Sequence, residues 1–353
     1  MSLFKQAIEA LRLQKPFVIY SKSHQQTVVG MFQNTAELFK LNDYGSKGFV
    51  FAPFDGQAPV FIPYSESEVI VESWIPNEEV AKEVILNYDD KRSSSAFEAL
   101  VKKGVAAIKA GRFDKVVLSR KETLEVESLA VIAWYKKLKS TYPTAFCYLF
   151  FHPEVGMWMG ATPEQLLKVG DHRVFTMALA GTQLNKQQNP VVWGEKEQQE
   201  QRFVTDFILD SLSEYVSRLS ITEPFTAYAG NIMHIRTDIE GDLNNIDDLK
   251  SIIEKLHPTP AVCGMPKQAS RDFILAEEGY DRKFYSGYLG ELNGDLTLNK
   301  DGFTDLFVNL RCMELEEHQI HLYLGCGITR DSVAIDEFIE TVNKSSTMKK
   351  IVS

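Results

Sequence analysis

The sequence predicts an α+β fold. Three observations carry that prediction. Strand-like apolar runs (VVLSR, AFCYLFF, MWMGA, LLKVG, RVFTMAL) follow one another between 116 and 179 without the regular βαβ alternation of a parallel sheet. Apolar residues at helical spacing stand apart from them, with Phe97, Leu100, Val101, Val105 and Ile108 in one group and a long amphipathic stretch over 195–219 in another. No internal repeat or low-complexity tract interrupts the pattern.

Taken in order, MSLFKQAIEALRLQKPF reads as an amphipathic helix rather than a signal peptide, because Lys5, Glu9, Arg12 and Lys15 break its apolar run. Up to about residue 88 the chain mixes short strand-like runs (PFVIY, TVVGMF, GFVFAPF, EVIVESW) with loops. The polar stretch 88–95 reads as a junction, the helix after it ends at Gly111, and the sheet-forming runs follow. Beyond the long helix over 195–219, strand pieces are expected at 232–243, 285–292, 302–315 and 319–325, and a last helix at 335–348.

Composition narrows the function. The 353 residues carry a formal net charge of -10 and no basic run, which argues against nucleic-acid binding. An anionic substrate would then need a locally positive pocket or a bound cation. No apolar stretch approaches membrane-spanning length. Cys147, Cys263, Cys312 and Cys326 are scattered without a CxxC pair, the pattern of free thiols in a reducing cytoplasm rather than of a disulfide framework or a zinc site.

The segment 255–266, KLHPTPAVCGMP, places prolines and a glycine around a short apolar core. It reads as a rigid turn, with Ala261, Val262, Cys263 and Gly264 able to approach a compact ligand, and not as a regular helix or central strand. Other short motifs accompany it: KVVLSR at 115–120, GATPEQLL at 160–167, LAGT at 179–182, HIRTDIEGDL at 234–243, FYSG at 284–287 and NLRC at 309–312. The sequence GCGITRDSVAIDEFIETVNKSSTM closes the series at 325–348.

Together, and in this order from about residue 97 to 348, these motifs resemble the chorismate-utilising enzymes: isochorismate and salicylate synthases and the synthase subunits of anthranilate and aminodeoxychorismate formation. The HPTPAV form is similar to that of isochorismate synthases. The resemblance implies one large domain with two mainly antiparallel sheets packed under helices, in which residues 1–93 form a β-rich part completing the fold and 94–353 the catalytic region. It implies an isomerase that adds water at C2 of chorismate while the C4 hydroxyl leaves. Such chemistry needs a base, an acid, and a cation on the ring carboxylate.

Lys115 shares a strand face with Val117 and Ser119, so it sits at a strand edge or is partly desolvated, and desolvation favours the free amine. The family's catalytic base falls on this lysine, and its general acid on Glu164, which by pattern alone reads as a helix cap. On the long helix, Val204, Phe207, Ile208 and Tyr215 form an apolar stripe that Glu200 and Glu197 extend. Carboxylates on a core-facing side are costly without a compensating cation. On the last helix, Ile335, Phe338, Ile339 and Val342 make the apolar face, and Glu337, Glu340 and Lys344 lie opposite like a surface ion pair. The resemblance implies otherwise: Mg²⁺ bound by Glu200 and Glu340 directly, with Glu197 and Glu337 supporting it through water.

For the substrate, the resemblance points to Arg311, Tyr285, Lys344, Val262, His234, the Gly181-Thr182 pair and the Gly325-Cys326-Gly327 turn. Arginine grips carboxylates through paired hydrogen bonds, and a Gly-x-Gly turn lets backbone N–H groups approach an anion. Two departures stand out. Gln201 follows Glu200 where the family often has histidine, and the stretch 287–311 is long, which predicts an extended hairpin. Ala180 stands where aminodeoxychorismate synthases commonly carry a nucleophilic lysine, which favours direct attack by a small nucleophile. The HPTPAV text favours water over ammonia, so no glutaminase subunit is expected. A monomer is the default expectation, salicylate synthases are the nearest alternative, and the product could serve menaquinone or siderophore formation.

Overall fold

Strand Phe146–His152 is buried along its whole length, and its alternate side chains enter two different cores. Cys147, Leu149 and Phe151 face helices, while Phe146, Tyr148 and Phe150 face a second sheet. A strand covered on both faces needs a continuous apolar run rather than alternation, which is what AFCYLFF supplies. The computed structural model describes residues 2–76, 81–184, 191–229 and 232–353.

Among these residues one sheet has nine strands, in the order Gly264–Met265, Lys115–Glu125, Gln319–Ile328, Cys312–Leu315, Gly156–Thr162, Phe146–His152, Phe17–Ser21, Thr27–Gln33 and Ser67–Ser73. The second runs Val216–Ile221, Ile232–Leu243, Arg173–Leu184, Gln165–Gly170, Thr304–Val308, Tyr288–Leu292, Gly48–Ala52, Val60–Pro63 and Phe39–Lys40, with Phe225–Ala229 also on Ile232–Leu243. Every pairing is antiparallel, and strands from before residue 93 join both sheets. This is the expected α+β fold.

The sheets meet at an aromatic layer. Phe51 has no exposed surface and stacks on Phe284 at 4.2 Å between centroids, with Phe150 at 4.6 Å. Phe146 stacks on Phe307 of the other sheet at 4.3 Å. Helices cover the outer faces: α1 (Leu3–Arg12), α2 (Lys91–Lys109), α3 (Val131–Thr141), α4 (Glu195–Leu212), α5 (Leu249–Leu256), α6 (Lys267–Glu277) and α7 (Ala334–Val352). Cores that include α1, α3 and α7 side chains, and α2 and α6 side chains, back the first sheet, and one that includes α4 and α5 side chains backs the second.

Several boundaries differ from expectation. Helix α4 ends at Leu212 instead of 219, because Tyr215 turns back onto the Leu212 carbonyl and 216–221 adds an edge strand beside Ile232–Leu243. Helix α2 begins inside the stretch read as a junction, where the Asp90 side chain accepts from the Ser93 N–H at 3.1 Å and caps the first turn. Helices α3, α5 and α6 were not expected, although Leu249, Ile252, Ile253 and Leu256 carry helical spacing in plain view. The single strand piece at 302–315 is two strands in different sheets. The chain crosses between them at Asn309, whose side chain accepts from Tyr148 Oη at 2.7 Å and donates to the Phe284 carbonyl at 2.9 Å. Arg311, two residues on, has a left-handed backbone, φ 48°. The extended hairpin is present, with Tyr288–Leu292 and Thr304–Val308 as its stem and Gly294–Asp295 pairing Lys300–Asp301 nearer the tip.

Phe51→Ala should cost about 3–5 kcal/mol of stability, read as a lower urea midpoint, since the rings around it come from the facing sheet and from the Phe284 segment and cannot all collapse into the gap.

Candidate active site

Strand Lys115–Glu125 lies between Gly264–Met265 and Gln319–Ile328, so its first residue sits inside the sheet. Lys115 is fully buried, with Nζ 2.7 Å from a Glu200 carboxylate oxygen on α4. The amine expected to be free is therefore one half of an ion pair, and the desolvation expected of it is complete. Glu197 and Glu200 both lie on the inward side of α4, while Gln198 and Gln199 are exposed, as the stripe argument requires. Gln201 is buried too and donates to Thr205 Oγ1 at 2.8 Å and Thr237 Oγ1 at 2.6 Å, so it locks the helix to the sheet.

Helix α7 corrects the pattern reading. Ile335 and Ile339 are 43% and 37% exposed, whereas Glu337 is buried and Lys344 nearly so. Part of the polar face looks inward, with Glu337 beside Cys326 of the neighbouring strand, while Phe338 and Val342 are buried as the pattern predicts. Lys344 Nζ donates to the Gly325 carbonyl at 3.0 Å and to Glu340 at 2.6 Å. The Cys326 thiol is pushed well up by burial, with the charges of Glu337 and Glu340 adding to the effect.

The Gly325-Cys326-Gly327 segment is the end of strand Gln319–Ile328 and not a turn. Its glycines serve close approach. A Cβ at Gly325 would stand 2.6 Å from Tyr285 Oη, and one at Gly327 would stand 2.5 Å from Glu200 Oε1 and 3.2 Å from Lys115 Cε.

These elements enclose a cavity of about 70 Å³, lined by Glu164, Glu200, His234, Arg311, Glu340 and Lys344 among others. Gly181, Val262, Tyr285, Gly325 and Gly327 complete the predicted set on its walls. It shares Pro163, Leu179, His234 and Arg311 with a wider cleft of about 950 Å³. Glu197 packs instead against Gly181, where a Cβ would meet its own at 2.9 Å, and Glu337 sits behind Cys326. Gly181 has φ 69°, so glycine is required there both for conformation and for space. The Thr182 side chain lies outside the described residues. Ala261 is on the wall, as the rigid-turn reading expects, while the apolar walls at Ala180 and Leu310 were not predicted as contacts, although each sits inside one of the quoted motifs.

Glu164 is buried, and burial pushes its carboxyl up to about 7 against the opposing pull of Lys115, Arg311 and Lys344. Such a group carries a proton for much of the time at neutral pH, so the acid role becomes chemically available, and the helix-cap reading fails because strand Gln165–Gly170 follows instead of a helix. His234 Nδ1 is 2.9 Å from the Gly181 carbonyl, which can only accept, so Nδ1 carries the hydrogen and Nε2 the lone pair. Burial, reinforced by Arg311 and Lys344, holds this imidazole down to about 3, so it is neutral. Tyr285 is raised to about 12 by burial and stays a phenol, a donor to an anion. Burial also pulls Arg311 down, while Tyr285, Glu340 and Glu164 favour its charge.

Among the described residues no three His, Cys, Asp or Glu side chains are gathered closely enough to hold a metal ion. Two carboxylates, Glu200 and Glu340, do line one cavity. An oxygen-only pair of this kind fits Mg²⁺, which keeps much of its shell as water or substrate oxygen.

A buried acid and a cationic wall in one small cavity, with the buried Lys115 behind its Glu200, define an enzyme for a compact anion. The chain belongs to the chorismate binding enzyme family, whose pattern matches residues 64–353. Isochorismate synthase EntC of Escherichia coli (strain K12) is 28% identical over 317 residues, covering 85% of this chain and 79% of that one. The fold matches MenF, the menaquinone-specific isochorismate synthase from Escherichia coli, with a TM-score of 0.78 at 20% identity over 96% and 89% of the two chains. It also matches anthranilate synthase component I from Streptococcus pneumoniae, with a TM-score of 0.67 at 20% identity over 94% and 90%.

Gly327→Ala should move Glu200 by about 1 Å, because the oxygen its Cβ would meet is the far end of a flexible side chain. We expect an unchanged far-UV spectrum and a loss of about a hundredfold in turnover.

Proposed function

We propose that the chain is an isochorismate synthase that interconverts chorismate and isochorismate. The observation that carries this reading is Glu164, a carboxyl held near neutrality in a cavity that also presents Glu200, with Lys115 buried against it.

In the forward direction Lys115, as the free amine and not in the ion pair with Glu200 seen at rest, takes a proton from water as the water oxygen bonds to C2. The ring double bonds shift, the C4–O bond breaks, and Glu164 gives its proton to the departing hydroxyl, which leaves as water. One water is consumed and one released. Arg311 and Tyr285 hold substrate carboxylate, with Lys344 adding positive charge, while Val262 and Ala180 close the cavity with apolar surface. The N–H groups around Gly181, Gly325 and Gly327 can approach the ligand closely, and the Thr182 hydroxyl is assigned to the same wall. Neutral His234 can accept a hydrogen bond but cannot protonate the leaving group. Glu200 and Glu340 would hold Mg²⁺, with Glu197 and Glu337 supporting it through water, and the ion would neutralise the ring carboxylate and draw electron density from the ring.

Residues 1–93 serve the fold and 94–353 the chemistry. Water as nucleophile needs no glutaminase subunit, and the reading takes the enzyme as a monomer. The four cysteines are free and buried, which supports a cytoplasmic location. No helix among the described residues is long and apolar enough to cross a membrane. The product would enter menaquinone or siderophore formation.

Incubation with chorismate and Mg²⁺ should give isochorismate as the main product by chromatography. Stoichiometric pyruvate would instead make the chain a salicylate synthase, and ammonia-dependent anthranilate would remove water as the nucleophile. Glu200→Gln and Glu340→Gln should each abolish the metal-dependent activity in a folded protein.

Forward turnover needs neutral Lys115 with protonated Glu164, and the reverse needs that one proton on Lys115 instead, so both directions draw on the same total protonation and should share one bell-shaped pH profile with Glu164, at about 7, on one limb. Lys115→Ala and Glu164→Gln should each cost at least about a hundredfold in both directions, and Glu164→Gln should remove the limb near 7.

A further inference from the structure

Behind the cavity lies a second ion pair that the chemistry above does not use. Arg282 and Glu278 sit one turn apart just after α6, and their side chains are 2% and 1% exposed. Breaking or burying such a pair is costly, and a buried pair is weak evidence for stability in itself. What distinguishes this one is where its remaining hydrogen bonds go.

Arg282 spends Nε on Glu278 Oε2 at 2.7 Å and shares Nη2 between Glu278 Oε1 and the Val117 carbonyl, the latter at 2.7 Å. Its Nη1 donates to the Val262 carbonyl at 3.0 Å. The guanidinium also lies over the ring of Tyr285, 5.6 Å from the centroid. Val117, Val262 and Tyr285 come from three separate segments, and all three line the small cavity. Glu278 completes the arrangement by accepting from the Ser119 N–H at 2.7 Å and from Ser119 Oγ at 2.9 Å. The pair therefore grips the Lys115 strand at two points, two and four residues beyond the lysine.

We propose that Arg282, oriented by Glu278, is the positioning residue of the active site: a planar fork that sets the spacing between the Lys115 strand, the Val262 wall and Tyr285 without touching substrate. Only arginine can do this. A lysine would keep the charge but could not hold two carbonyls and a carboxylate in one plane. The inference rests on the reading of the cavity as a site of chorismate isomerisation.

The test is steady-state kinetics of Arg282→Lys, Arg282→Met and the double variant Glu278→Gln/Arg282→Met, with chorismate and Mg²⁺, well below each variant's melting temperature. The double variant leaves no buried charge without its partner, so it supplies a folded comparison if a single variant fails to fold. A wall displaced by about 1 Å costs about a hundredfold in rate. We expect kcat to fall by about that factor in the lysine variant, with KM changed less than about threefold and near-UV circular dichroism unchanged. A merely structural role would lower the melting temperature and leave kcat of the folded protein near wild type. That outcome, or full kcat in the double variant, overturns the proposal. If the wild-type chain itself gave no isochorismate, the assignment of the reaction would fall instead.

Discussion

The contact between Lys115 and Glu200 is the constraint on which the site depends. A lysine with no exposed surface, at the start of an interior strand, is tolerable only with an opposite charge beside it, and Glu200 stands 2.7 Å away. The same logic repeats around the cavity, where Lys344 meets Glu340 and the Gly325 carbonyl. Glu164 has cations near it but no such contact, so burial wins and it moves toward the neutral acid. One enclosed space thus holds two carboxylates against lysines and a third, with no such contact among the described residues, near its titration point. The proton Glu164 can hold at neutral pH follows from that difference in partners and not from any special property of the glutamate.

Much of this was legible beforehand, for identifiable reasons. The strands buried on both faces announce themselves as unbroken apolar runs, and the inward carboxylates of α4 lie in register with Val204 and Ile208. The reading failed where a side chain's surroundings come from a distant segment. On α7, Phe338 and Val342 are core as their period predicts, but Ile335 and Ile339 are exposed and Glu337 and Lys344 are buried, because a neighbouring strand offers them the Cys326 side chain and the Gly325 carbonyl. Period cannot see those partners. The motif resemblance could, because it carries tertiary information in condensed form.

Boundaries were lost in the same way. The stretch 213–219 continues the amphipathic pattern of α4, but Val216 and its neighbours are worth more as an edge strand on Ile232–Leu243 than as another helical turn. Tertiary pairing overrode local propensity. The break at Asn309 was invisible because both flanking pieces are good strands. Nothing in NLRC says that the strands it joins belong to different sheets.

That crossing has a mechanical consequence. Arg311 is carried on the link between the two sheets, in a left-handed backbone conformation, and Asn309 ties the same link to Tyr148 on one side and to Phe284 on the other. Its guanidinium is thereby referenced to both layers at once. Any slip of one layer over the other, even at a remote edge, shifts the charge that Arg311 brings to the cavity. The aromatic seam between the layers is therefore also the bearing that keeps the cavity in true, and its stiffness limits how far the cavity can change shape.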